Sequence, residues 1–183
     1  MSTFPLSEAA GFSDPVERLS QQLKARYADR ICAELTLPAK AAQYDHLPLE
    51  LDTGLRKALL ARGVERLYSH QAEAWQLAQR GRHYVVVTPT ASGKTLCYNL
   101  PVLQTVCQGQ GKALYLFPTK ALAQDQVAEL LELNRSGGLG VRAYTFDGDT
   151  PGDARKAVRT RGDIVVSNPD MLHQAILPHH TKW

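Results

Sequence analysis

Beyond residue 83, four short apolar runs alternate with stretches of helical spacing, and this alternation constrains the fold more than any other feature. The runs cover residues 84–87, 113–117, 141–146 and 164–167. Short apolar runs separated by helices suit parallel strands covered on both faces, because each crossover helix shields one face of the sheet. The chain is therefore expected to be α/β, with a doubly wound, mostly parallel sheet. In such sheets ligands bind beyond the carboxyl ends of the strands, where the polar punctuation of this sequence falls. Helices are expected after residue 95, over 121–133, from Thr150-Pro-Gly-Asp153 with a capping box and a first-turn proline, and briefly from Asp170.

The first run leads directly into a phosphate-binding loop made of Thr88, Pro89, Thr90, Ala91, Ser92, Gly93, Lys94 and Thr95. A polyphosphate requires converging backbone N–H donors, an ammonium for its outer phosphates and a hydroxyl that helps to hold Mg²⁺. Gly93 lets the backbone approach closely, Lys94 is the cation, and Thr95 is the metal-side hydroxyl; Lys94 and Thr95 are the candidate catalytic pair. Thr88 departs from the general pattern, which has glycine there, and threonine does not reach positive φ cheaply. The order of strand, loop and helix is nevertheless the context the motif needs.

Upstream of the loop the pattern is less regular. Residues 1–11 read as unstructured, and Ser13-Asp14-Pro15 opens a helix reaching about Ala28. Pro38 and Pro48 make residues 31–50 an extended connection. Leu51, Leu55, Ala58 and Leu59 share one face of a helix over 52–62 that stops at Gly63, and Ser69 caps another ending at Gly81. The expected organisation is a partly helical extension, 1–60, followed by an incomplete α/β domain, 61–183.

A net charge of +3 permits a polyanionic partner without requiring one. Cys32, Cys97 and Cys107 form no C-x-x-C pair and read as reduced. His173, His179 and His180 lack the cysteine or spaced carboxylate of a metal site. No apolar stretch is long enough to span a bilayer, so a cytoplasmic location is the expectation.

The loops after the apolar runs resemble those of superfamily 2 DEAD/DEAH-box-like helicases, in the first RecA-like motor domain. Tyr68-Ser-His-Gln71 resembles the adenine-reading Q motif, residues 88–95 motif I, Pro118-Thr-Lys-Ala-Leu-Ala-Gln-Asp-Gln126 motif Ia, and Ser167-Asn-Pro-Asp-Met171 motif Ib. Phe146-Asp-Gly-Asp-Thr150 fits the loop between the last two. Within the superfamily the chain is most similar to the RecQ4-like DNA helicases of bacteria, archaea and fungi, which carry a C-terminal cysteine-rich zinc domain and are associated with 3′-to-5′ translocation and DNA repair. The resemblance implies ATP and Mg²⁺ as cofactors. It gives Gln71 the task of reading adenine, while Tyr68 either packs on the base or makes an ordinary core contact. Pro118, Thr119, Lys120, Gln124, Gly148, Thr150, Asn168, Pro169 and Asp170 would line a track for the backbone of single-stranded DNA, with RNA possible, independent of sequence. Asp149 and the Asp170 carboxylate read as caps or braces, since carboxylates repel phosphate. Arg155, Lys156, Arg159 and Arg161 read as a solvated helix face.

The acidic Asp-Glu pair with which this family hydrolyses ATP follows none of the apolar runs; Asp163 precedes its run and Asp170 comes only after Asn-Pro. The expectation is an N-terminal piece of a longer helicase, inactive alone, whose turnover needs the acidic motif and a second motor domain from the same full-length chain. The alternatives are a non-catalytic nucleotide- or DNA-binding module and, further off, a P-loop small-molecule kinase.

Overall fold

A computed structural model describes residues 14–35, 37 and 41–183; the reading of residues 1–11 as unstructured falls outside them. The chain divides into two compact units, Met1–Ala41 and Ala42–Trp183. The first holds α1 (Pro15–Arg26), opened as expected by Asp14, whose carboxylate accepts from Val16 N at 2.8 Å ahead of the first-turn proline.

The second unit runs β1 (Tyr44–His46), α2 (Thr53–Ala61), β2 (Arg66–Tyr68), α3 (Ser69–Gln79), α4 (Lys94–Cys107), β3 (Ala113–Leu116), α5 (Lys120–Gly137), β4 (Ala143–Thr145), α6 (Gly152–Arg161), β5 (Ile164–Ser167) and α7 (Pro169–Met171), then a π-helical and a 3-10 segment. The expected boundary at residue 60 does not hold. Leu47, Leu51, Leu55, Ala58 and Leu59 are buried in one core with Leu130, Leu133 and Ile164. Burying a leucine contributes roughly 1.5–3 kcal/mol, which makes these residues part of the domain rather than of an appendage.

β3, β5 and β4 form a parallel sheet in that order, so β5 is central. Its side chains alternate between faces. Ile164 and Val166 join the cluster containing Leu130 and Leu133 of α5, whereas Val165 joins Val158 of α6 and Phe146. Helices thus cover both faces, and the doubly wound α/β reading stands. Because the strands are parallel, the loops that follow them emerge at one edge.

Four local expectations are corrected. Residues 84–87 form no strand; among the described residues they make no backbone ladder bond, and Val85 and Val87 are each 88% exposed. An apolar run becomes a strand only against a neighbour that satisfies its N–H and C=O groups. An open groove touches Tyr84 on one side and Ala113 of β3 on the other, and Leu114 and Leu116 of β3 are themselves partly exposed. Within the stretch read as an extended connection, β1 pairs antiparallel with β2, Tyr44 lying opposite Tyr68. Ser69 is the first residue of α3 rather than its cap: Gln71 Oε1 accepts from Tyr68 N and closes that end. Finally, α6 has no side-chain cap, because the Thr150 hydroxyl is turned back to accept from Asp147 N at 2.9 Å.

Candidate nucleotide and nucleic-acid site

The phosphate loop turns into α4 through Gly93, whose φ of +74° is the left-handed conformation that only glycine adopts without strain. Ala91 also sits at positive φ, +59°, making it the one non-glycine residue so placed among those described. No side chain caps α4, in contrast to α2, α5 and α7, which are capped by Asp52, Thr119 and Asn168. Leu96 N donates to Gly93 O at 3.2 Å, but the Lys94 and Thr95 N–H groups of its first turn are left for an anion, and the helix dipole favours one there.

Lys94 is folded onto the loop. Its ammonium donates to Thr88 O at 2.8 Å and Pro89 O at 2.7 Å, and Thr88 Oγ1 and Ser92 Oγ share a hydrogen bond of 2.6 Å. Thr95 is the second residue of α4. The donor set of this corner, an uncapped helix start with an ammonium and hydroxyls, fits a Mg²⁺-bound polyphosphate. Beside it, burial pushes the Cys97 thiol and the Tyr84 phenol above their ordinary pKa values, and the phenol donates to Cys97 O at 2.7 Å.

Gln71 is 4% exposed, and its amide faces inward. Oε1 accepts from Tyr68 N at 2.9 Å, and Nε2 donates to Gly93 O at 2.8 Å. The side chain expected to read a base therefore braces the phosphate loop in this structure. His70 adds a second brace through Nε2, 2.9 Å from Ser92 O. Tyr68 stacks with Tyr44 at 5.1 Å and with His70 at 5.7 Å between centroids, and the Arg66 guanidinium lies 4.4 Å from the Tyr44 ring centre. Sequence reasoning had no signal for Tyr44, since its place beside Tyr68 depends on the β1–β2 pairing.

The loops after β3, β4 and β5 meet around a shallow polar hollow lined by Thr119, Lys120, Gln124, Thr145, Asp147, Ser167 and Asn168. Thr119 Oγ1 accepts from Leu122 N, and Asn168 Oδ1 accepts from Met171 N, so both start helices as well as facing the hollow. Pro118, Gly148, Pro169 and Asp170 are exposed near it, while Thr150 is half-buried with its hydroxyl held by Asp147. Lys120 forms an ion pair with Asp149 across the mouth. The shared hydrogen bond holds the lysine pKa above and the aspartate pKa below its ordinary value. Arg155 is not a solvated charge: Nε donates to Thr150 O at 2.9 Å, Nη2 to Gly148 O at 3.4 Å, and the guanidinium lies over Phe146.

The sequence model of the DEAD/DEAH box helicase family matches residues 68–183, from the first residue of the Q-motif stretch onward. The chain belongs to the DEAD/DEAH box helicase family. The relatives it resembles include an uncharacterized ATP-dependent helicase, YprA, of Bacillus subtilis, 56% identical over 138 residues, which are 75% of this chain and 18% of the relative. The ATP-dependent helicase hrq1 of Schizosaccharomyces pombe is 40% identical over 92% of this chain and 17% of its own length. Among solved structures, the DUF1998 helicase MrfA bound to DNA and AMPPNP superposes with a TM-score of 0.78 at 53% identity, over 80% of this chain and 21% of that one. The fold is that of RecA-like helicase domains. The chain spans about a fifth of the length of these relatives, and no helix among the described residues is long and apolar enough to cross a membrane.

Proposed function

We propose that this chain is the ATP-binding part of an ATP-dependent DNA helicase motor, with two functional edges. Residues 88–95 would cradle Mg²⁺-ATP: the first-turn amides of α4 face the phosphates, Lys94 leaves Thr88 O and Pro89 O for them, and Thr95 presents its hydroxyl to the metal. Bound ATP supplies the phosphoanhydride whose cleavage drives the motor. Gln71 and His70 hold the loop from beneath, so that occupancy of the loop and the Tyr44–Tyr68 region are mechanically linked. Release of the Gln71 amide from Gly93 O would free it to read adenine.

The hollow after β3, β4 and β5 would carry single-stranded DNA through Thr119, Lys120, Gln124 and Asn168, flanked by Pro118, Gly148, Thr150, Pro169 and Asp170. Contacts of this type position a strand without reading it, and RNA offers the same phosphates. DNA is favoured because MrfA, at 53% identity, is described bound to DNA. Hydrolysis and translocation would fall to the full-length protein, with an acidic pair and a second motor domain.

The observation that carries the nucleotide assignment is the uncapped start of α4 beneath a left-handed Gly93, with Lys94 beside it. Calorimetric titration with a non-hydrolysable ATP analogue and Mg²⁺ tests it. Lys94→Ala should abolish the binding isotherm with the fold retained, whereas unchanged affinity would remove the phosphate assignment.

A further inference from the structure

The nucleic-acid hollow has a carboxylate at its mouth where a phosphate would be expected. Lys120 and Asp149 come from different loops, one at the start of α5 and the other after β4, and their side chains meet as an ion pair. Both ends are open to solvent, with the lysine side chain 53% and the aspartate side chain 82% exposed. Exposed pairs of this kind add little net stability and are weak enough for another anion to exchange with them.

The pair is not needed to shape its loop. Asp147 Oδ1 accepts from Asp149 N at 3.0 Å and from the Thr150 hydroxyl at 3.2 Å, and that hydroxyl accepts from Asp147 N. Arg155 then ties Gly148 O and Thr150 O to α6. The backbone around Asp149 is therefore held by three other side chains. What the Asp149 carboxylate itself engages is the ammonium that the hollow presents to solvent.

We propose that Asp149 is an affinity-setting residue of the nucleic-acid edge: its carboxylate occupies Lys120 in the place of a strand phosphate, and a polynucleotide enters by exchanging with it. The proposal rests on the reading of the hollow as a phosphate track. On exchange the strand phosphate at Lys120 sheds its condensed cation while the freed Asp149 carboxylate recruits one, so in the wild-type chain this contact adds no net cation release and costs the Lys120–Asp149 pair. A neutral side chain at 149 removes the competing anion and leaves that cation release uncompensated.

The test is a fluorescence-anisotropy titration of the full-length chain with labelled single-stranded oligonucleotide over a range of salt concentrations. Asp149→Asn should tighten binding by about 3–10-fold at low salt, the gain fading as salt screens it. It should also steepen the dependence of log K on log salt by about 0.7, the increment for one added phosphate contact on a single strand. Asp153→Asn changes the net charge equally without touching Lys120 and should give a smaller gain and no change in slope. In a Lys120→Ala background, the effect of Asp149→Asn should fall to that of Asp153→Asn. If Lys120→Ala with Asn168→Ala leaves binding untouched, the phosphate track itself fails. If that pair weakens binding but Asp149→Asn weakens it too, or matches Asp153→Asn in both affinity and slope, Asp149 is a brace or a distant charge and the exchange proposal is overturned.

Discussion

Replacing Gly93 by alanine separates two reasons for a glycine at the turn into α4. The first is backbone strain, since φ is +74° and a β-carbon in the left-handed region costs roughly 1–2 kcal/mol. The second is contact, because the added Cβ would lie 2.6 Å from Gln71 Nε2. That amide cannot swing aside freely: it is buried, and its two ends are hydrogen-bonded to Tyr68 N and Gly93 O. Displacing it would break both bonds, at about 0.5–1.5 kcal/mol each. Gly93→Ala should therefore destabilise the domain by about 2–5 kcal/mol, with loss of nucleotide-analogue binding as the loop reshapes. On a Gln71→Ala background the obstructing amide is gone, and only the backbone part, about 1–2 kcal/mol, should remain. Urea denaturation of the four proteins in this cycle measures the difference. An equal cost of Gly93→Ala on both backgrounds would refute the coupling between the loop and the Gln71 amide.

Two further outcomes are expected. Arg155→Ala should weaken single-stranded DNA binding and lower stability by about 1–2 kcal/mol through loss of its loop bonds and its Phe146 contact, and lysine should not restore either property because it lacks the planar fork; the neighbouring Lys156→Ala is the control, and identical behaviour of the two alanine variants would return Arg155 to the solvated face. Asp163 accepts from the Arg142 backbone N–H and from two guanidinium nitrogens at 2.8–2.9 Å, and the pairing holds its pKa below the ordinary 3.8. A depressed carboxylate contributes stability that is present above its unfolded-state value and lost as pH falls through its folded value, so the wild type should lose this contribution below pH 3.8 while Asp163→Asn should lack it throughout. Urea midpoints at neutral pH and at about pH 2.5 check this, an equal acid-induced drop in both proteins counting against it.

The corrections share one physical pattern. Asp14, Thr119 and Asn168 start their helices as local chemistry requires, because each cap bonds to an N–H only two or three residues ahead. The runs at 113–116 and 164–167 become strands because each finds the other as a ladder partner. The equally apolar run at 84–87 has no such partner among the described residues and forms no strand.

The caps at Asp14, Thr119 and Asn168 and the family of the chain were thus determined by the residues themselves, since such caps and motifs act over a few positions. Tertiary structure alone decided that Leu47, Leu51, Leu55, Ala58 and Leu59 belong to the core of the domain, that Gln71 points inward to Gly93, that Tyr44 joins Tyr68, and that Lys120 meets Asp149. Those contacts join positions 22 or more residues apart in the chain, and no propensity of either partner selects the other until packing brings their elements together.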